Sequence, residues 1–293
     1  MENSLSSTVN PPFVALPNEK DIHDVVVRAL KEDVGAGDLT ANLIGASSHS
    51  ESRLICREPA VLCGAAWFEM ACNLVDGDLV LDWHRGDGDL LVSETAVCTV
   101  SGRSRSILTA ERTAINFLQT LSGTATTTRN YVLQIEGTNT RVLDTRKTLP
   151  GMRLAQKYAV AIGGGQNHRI GLFDGVLIKE NHIAAAGSIQ AAVLQAREHA
   201  GDCQLLEVEV ESLDQLNEAI DAGVTRIMLD NFDLEMMKKA VEINNGFAEI
   251  EVSGNVEISN MRSIAETGVN YISVGALTKH VRAIDFSLRM TNI

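Results

Sequence analysis

Long apolar stretches are missing from this chain of 293 residues. No run approaches the roughly 20 residues that a bilayer-spanning helix requires, so a helical membrane protein is excluded. A secretory signal is missing too. The opening segment MENSLSSTVNPPF has no basic start, apolar middle or small-residue cleavage site, and reads as a frayed leader on a cytoplasmic protein. The five cysteines, Cys56, Cys63, Cys72, Cys98 and Cys203, form no C-x-x-C pair and sit in apolar segments. That pattern argues for reduced core thiols rather than a disulfide framework or a zinc site. Positive charge is scarce, with 25 Lys and Arg against 38 acidic residues and a formal net charge of -13, so the chain as a whole repels nucleic acid and anionic membrane. No P-loop, H-E-x-x-H or G-x-S-x-G occurs, which turns the reading away from nucleotide hydrolysis, zinc proteolysis and serine hydrolase chemistry.

What is present is the composition of an ordinary globular protein, 45% hydrophobic and 22% charged, long enough for one large domain or two smaller ones. From Thr140 onward a strand and helix signal repeats. The runs TRVLDTR, FDGVLIKE, QLLEVEVE, RIMLDN, EIEVSG and YISVGA are apolar or alternating and end in polar residues. Between them lie segments of helical spacing with N-cap candidates at Ser188, Ser212, Asp233 and Ser259, and glycines after the last turn at Gly201, Gly223, Gly246 and Gly268. This is a β/α array around a parallel sheet. Six clear units are too few for a closed eight-fold barrel of about 250 residues, so an open, incomplete barrel fits best and a doubly wound sheet is the alternative. The first half reads as a smaller α+β domain: a helix at DIHDVVVRALKED, short strands separated by DGD turns, and a long amphipathic segment, ILTAERTAINFLQTLSG, leading onward.

The distribution of charge is more telling than its sum. Between Arg141 and His182 stand seven Lys or Arg against three acids, a local surplus of four that leaves the remainder at -17. The strand ends of the array carry Arg146 and Lys147, Lys179, Glu209, Asp230, Ser253 with Gly254, and Gly275. In an open or closed α/β sheet, these positions converge on the rim where ligands bind. Surplus cations there call for an anionic ligand, with Arg suited to bidentate carboxylates or phosphates and Lys to a compact charge. Glu209 and Asp230, on neighbouring strands, suit a magnesium ion with waters or sugar hydroxyls. SGN at Ser253 and VGAL at Gly275, each between a strand and a helix, are candidate phosphate cradles, and GGGQNHR adds backbone freedom beside His168 and Arg169. Arg153 is set off from Arg146 and Lys147 by the Pro150–Gly151 turn, so it either joins the ligand site or supports the loop. A Schiff-base aldolase using Lys147 or Lys179 is disfavoured by the crowding of arginines.

Together, ERTAINFLQTLSG, DTRKTLPGMR, GGGQNHRIGLFDGVLIKENH, EVEVESLDQLNEAIDAG, IMLDN, EVSGN and SVGAL closely resemble the quinolinate phosphoribosyltransferases, from about Asp21 to the C-terminus. The resemblance implies an N-terminal α/β sandwich domain, residues 1–115, and an open seven-stranded α/β barrel, residues 116–276, with the segment 277–293 returning to the first domain. It implies a homodimer with active sites shared between subunits, and the transfer of phosphoribosyl from phosphoribosyl pyrophosphate to quinolinate with decarboxylation, using Mg2+ and no pyridoxal phosphate. By the same resemblance Arg146, His168, Arg169 and Lys179 line the quinolinate site, joined by Arg112 of the partner subunit. Lys147 and Lys179 meet the pyrophosphate, Glu209 and Asp230 the ribose hydroxyls and the metal, directly or through water, and Ser253, Gly254 and Gly275 the 5-phosphate. Where many members read GALTH this chain has Lys279 before His280, so the phosphate contact at that position passes to a lysine or is lost. A nicotinate-type phosphoribosyltransferase and an inactive anion-binding dimer are the alternatives; against the second, every matched motif position is filled.

Overall fold

The computed structural model describes residues 15–199 and 205–291, so Gly201, Cys203 and the leader lie outside the described residues. Two compact units emerge. One takes the chain up to Ala125 together with Ala161–Gly164 and the segment from Ala283 on; the other takes Thr126–Val160 and Gly165–Arg282. The boundary falls inside a helix that is continuous through residues 115 and 116. No helix of the described residues is long and apolar enough to cross a membrane.

In the first unit α1 (Glu19–Val34) starts where the Asn18 side chain accepts the Asp21 N–H at 2.9 Å, the N-cap bond that satisfies an otherwise orphaned donor. It is followed by β1 (His49–Cys56), β2 (Ala60–Val61), α2 (Ala65–Val75), β3 (Val80–Trp83), β4 (Leu90–Leu91), β5 (Thr95–Arg103) and the 31-residue α3 (Ser104–Gln134), which runs on into the second unit. Period-two burial in β1 turns Ser50, Ser52, Leu54 and Cys56 inward. Trp67, Phe68 and Cys72 of α2 are buried, and Phe68 meets Trp83 edge-on at 5.6 Å. Asp76, at the end of α2, accepts two bonds of 2.8 Å from Arg103 and one of 2.6 Å from Ser106. These donors, Arg103 first, hold its carboxyl below the ordinary carboxylate range.

The second unit contains β6 (Arg141–Leu143), α4 (Arg153–Ile162), β7 (Val176–Ile178), α5 (Glu180–Ala186), α6 (Ile189–His199), β8 (Leu206–Val210), α7 (Leu213–Asp221), β9 (Arg226–Asp230), α8 (Leu234–Asn244), β10 (Glu249–Ser253), α9 (Met261–Ala265), β11 (Tyr271–Ser273) and α10 (Ala276–Lys279). Its sheet is parallel with order β6-β11-β10-β9-β8-β7. The final strand, β12 (Phe286–Thr291), pairs antiparallel with β1 in the first unit, whose four-stranded sheet has order β12-β1-β5-β3.

Among the described residues six strands, rather than the expected seven, form the parallel sheet. The seventh position is reduced to one parallel bridge between Leu143 and Gln166, because the glycines at 163–165 weaken strand pairing there. The barrel is therefore open. Serine and aspartate caps start α6, α7 and α8: Ser188, Ser212 and Asp233 accept the N–H of Ala191, Gln215 and Met236. The fourth cap expected, Ser259, gives way to Asn260 as the residue before α9.

Alternation organises this unit. Val208, Val210, Ile227, Leu229, Ile250 and Val252 turn outward beneath the helices, none more than 1% exposed, and form its apolar core. The intervening residues turn inward, and they are polar: Glu207 and Glu209 on β8, Arg226 and Asp230 around Met228 on β9, and Glu249, Glu251 and Ser253 on β10. The barrel interior is thus a layered polar column instead of the branched aliphatic packing usual for closed barrels.

Candidate active site

At the C-terminal ends of these strands lies a cavity of about 190 Å³. Arg146 and Lys147 reach it from the loop after β6, His168 and Arg169 from the loop after the Gln166 bridge, and Lys179 from the end of β7. Glu209, Glu251, Ser253 and Ser273 complete its polar wall, with Leu177 and Met228 as apolar floor. Most residues expected at the rim thus meet in one place.

Charge in this cavity is unbalanced. Lys179 Nζ is paired with Glu209 Oε2. No ion pair joins Arg146, Lys147 or Arg169 to an acid among the described residues, and the Arg146 Nε is buried without a hydrogen-bond partner. A buried, unpaired guanidinium N–H carries a desolvation penalty of about 1–3 kcal/mol or more, which an anionic ligand would relieve. Arg169 gives one N–H to the Gly175 carbonyl at 3.0 Å, leaving its other donors for a ligand.

The loops that present these cations are held by groups with no obvious signature in the sequence. Asp144, fully buried, accepts from Lys157 Nζ at 2.5 Å, Asn167 Nδ2 at 2.7 Å and the His168 amide at 2.8 Å. Lys157 also donates to the His168 carbonyl at 2.9 Å. Burial pushes Asp144 up and Lys157 down despite their mutual attraction, so this pair is dear to bury and dearer to break. Gln156, buried, accepts from the Leu149 amide and donates to the Thr278 carbonyl, each at 2.8 Å, while the Thr278 hydroxyl donates to the Lys147 carbonyl at 2.8 Å. Arg153 resolves as a loop support. Its guanidinium donates to Thr148 Oγ1 at 3.1 Å, the Ile170 carbonyl at 3.1 Å and the Arg146 carbonyl at 3.4 Å.

Below the rim is a second group. His168 Nε2 lies 2.8 Å from Glu207 and 3.7 Å from Glu251, and Arg226 reaches Glu251 at 3.2 Å and Glu207 at 3.7 Å while stacking 4.1 Å over Tyr271. Burial, the largest cause, pushes both carboxyls up, Glu251 further because Glu207 is beside it, and pulls His168 down. His168, Glu207 and Glu251 are the only three-donor group of metal-ligating type found among the described residues. His168 Nδ1 accepts the Arg169 amide N–H, which leaves the ring proton on the Nε2 that faces the acids, and Arg226 already reaches both carboxylates, so the group does not fit a metal ion.

Of the two acids expected at a hard cation, Glu209 lines the cavity, where it pairs with Lys179, and Asp230 does not line it. Both are carboxylates at the top of adjacent strands, and two protein oxygens leave most of an octahedral shell to waters and substrate phosphates, the arrangement magnesium favours. Asp230 accepts from Asn231 Nδ2 at 2.8 Å. Ser253 ends β10 and Gly254 follows it. Gly254 has φ +88°, and a Cβ there would come within 2.3 Å of Asn231 Oδ1, so only glycine fits. Gly275 passes close to Lys147, whose Cδ would sit 3.0 Å from an added Cβ. The cradles are less helical than expected: α10 is a single turn and α9 starts only at Met261. Lys279 is exposed in the last turn of α10, and Arg112 is exposed on α3; neither lines the cavity.

Comparison with known proteins gives one consistent result. The family model described as quinolinate phosphoribosyl transferase, C-terminal domain, matches residues 124–289, and the one described as its N-terminal domain matches 38–122. A relative named probable nicotinate-nucleotide pyrophosphorylase (carboxylating), from Bacillus subtilis, is 39% identical over 260 residues, 89% of this chain and 90% of its own length. The Arabidopsis thaliana nicotinate-nucleotide pyrophosphorylase (carboxylating), chloroplastic, is 40% identical, covering 92% of this chain and 83% of its own. The solved nicotinate-nucleotide pyrophosphorylase of Francisella tularensis superposes with a TM-score of 0.91 at 46% identity, covering 95% of this chain and 98% of that one.

Proposed function

The chain belongs to the quinolinate phosphoribosyltransferase family, and from that premise we propose how its cavity carries out the family's reaction. The protein is a pentosyltransferase of NAD biosynthesis: it transfers phosphoribosyl from phosphoribosyl pyrophosphate to quinolinate with decarboxylation, giving nicotinate mononucleotide, pyrophosphate and carbon dioxide. The observation that carries the assignment of the site is the set of cations without acidic partners, Arg146, Lys147 and Arg169, beside the Lys179–Glu209 pair.

Two adjacent carboxylates on the pyridine ring match Arg146 and Arg169, whose planar forks can bind them in pairs, with Lys179 between the acid and the pyrophosphate side. Lys147, exposed on its loop, meets the pyrophosphate. Ser253, Gly254 and Gly275 offer backbone and hydroxyl donors to the 5-phosphate, and Lys279 a further charge. Glu209 and Asp230 take the ribose hydroxyls and would hold Mg2+, which when bound neutralises pyrophosphate charge. Arg112 of the partner subunit completes the carboxylate site in a homodimer, in which two such sites form by symmetry. The four cysteines among the described residues are free and buried, which suits a reducing compartment, and we place the protein in the cytoplasm.

The chemistry asks for positioning more than for a nucleophilic side chain. The pyridine nitrogen lone pair forms the bond to the anomeric carbon as the bond to pyrophosphate oxygen breaks and its electrons leave with pyrophosphate. Lys147 and Lys179 stabilise the departing charge. The ring, now a pyridinium, draws in the electron pair of its bond to the neighbouring carboxylate. Carbon dioxide leaves and the ring carbon takes a proton. Purified protein with magnesium, quinolinate and phosphoribosyl pyrophosphate should release equal amounts of pyrophosphate, carbon dioxide and nicotinate mononucleotide. Nicotinate, with one carboxylate, should be poorer by roughly 10⁴-fold in kcat/KM, because a site built for two leaves cations unmatched. Equal use of both acids would refute this assignment.

A further inference from the structure

His168 lines the cavity, yet it has no polar atom to offer. Its side chain is only 7% exposed. The Arg169 amide donates to its Nδ1 at 2.7 Å. An amide N–H can only donate, so Nδ1 carries a lone pair and the ring proton sits on Nε2. That N–H in turn points at Glu207, 2.8 Å away, with Glu251 beyond it at 3.7 Å. Both nitrogens are spoken for inside the protein.

We propose, on the reading of the site given above, that His168 is a positioning residue rather than a carboxylate ligand: held as the neutral Nε2–H form between Glu207 and the Arg169 amide, it sets the direction of Arg169, and Glu207, Glu251 and Arg226 form the frame that holds it. The frame is built for this. Glu207 and Glu251 are fully buried, each with one carboxylate oxygen that has no hydrogen-bond partner, and Arg226 reaches both without lining the cavity. Arg226 is itself fixed over the Tyr271 ring. From the other side Lys157 donates to the His168 carbonyl and Asp144 accepts its amide N–H, so ring and backbone are both pinned. The low proton affinity that burial gives His168 agrees with a neutral ring. Recognition of the two carboxylates then rests on Arg146, Arg169 and Lys179, together with Arg112 of the partner subunit.

The tautomer can be read directly. In protein labelled with nitrogen-15 at histidine, the long-range imidazole spectrum should show His168, assigned by its loss in His168→Gln, with a protonated Nε2 and a bare Nδ1. The pattern should persist when quinolinate is added. A doubly protonated ring in the quinolinate complex, or an Nδ1–H tautomer in the free protein, overturns the proposal. Kinetics supply a second arm. His168→Gln keeps a neutral donor and should retain turnover within about tenfold, while His168→Ala loses about 100-fold. Equal losses in the two variants overturn it as well. Should wild-type protein fail to bind quinolinate at all, the functional reading fails instead, and the free-state tautomer still decides the role of His168.

Discussion

Replacement of Lys157 by methionine isolates the support on which the cation loops rest. Lys157 and Asp144 are 3% and 0% exposed at their side chains and 2.5 Å apart. Methionine fills nearly the same space and removes the ammonium, leaving Asp144 with its bonds from Asn167 and the His168 amide but no counter-charge. Stranding one member of a buried pair costs about 3–5 kcal/mol. That is a large share of the roughly 5–15 kcal/mol that holds a typical domain together. Removing both charges in Asp144→Asn/Lys157→Met should cost about half as much, because burial already opposes each charge. Urea unfolding followed by far-ultraviolet circular dichroism at neutral pH measures both variants. Under conditions where Lys157→Met stays folded, its kcat/KM should also fall, since the His168 carbonyl loses its donor. A Lys157→Met variant within 1 kcal/mol of wild type, or a double variant no more stable than Lys157→Met, would refute the reasoning.

Lys147→Ala should lower turnover about 100-fold with a smaller effect on quinolinate affinity, measured by steady-state pyrophosphate release. Mixing Arg112→Ala with Lys147→Ala subunits should restore about one quarter of wild-type activity, since half of randomly formed dimers are hybrids and one of their two sites is intact; no recovery in verified hybrids argues against a shared site. Asp76→Asn should cost about 1–2 kcal/mol at neutral pH by weakening the bonds from Arg103 and Ser106. Because the folded-state affinity of Asp76 for a proton is depressed, its contribution is fully present above its ordinary value of 3.8 and is lost as pH falls through the lower folded value. The stability difference from wild type should therefore be constant at neutral pH and shrink only in strong acid, as unfolding curves along a pH series would show.

Much of the second unit was legible because its pattern is local. LEVEV, RIMLD and EIEVS alternate with period two, and caps such as Ser212 and Asp233 bond a backbone amide three residues on. That alternation, followed one step inward from Glu209, already turns Glu207, Arg226 and Glu251 to the same face; what it does not carry is their pairing with His168, which sits 39 residues from Glu207. The partners of Asp144 were hidden for the same reason. Lys157 counts as one more cation in a basic stretch until folding brings α4 against the end of β6 and makes it a neutralised one. Arg153 had two readings, and its three bonds to loop groups decide between them. The seventh strand was expected by likeness to a family, but pairing at Gln166 is limited to a single bridge beside three consecutive glycines, where backbone freedom opposes a ladder.

A crystal structure with quinolinate bound tests the central claim most directly. The ring should lie in the cavity at the top of the parallel sheet, one carboxylate against the Arg146 guanidinium with its Nε no longer unpartnered, the other against Arg169. Quinolinate seated elsewhere, or in the cavity with Arg146 and Arg169 both turned from it, would contradict the account.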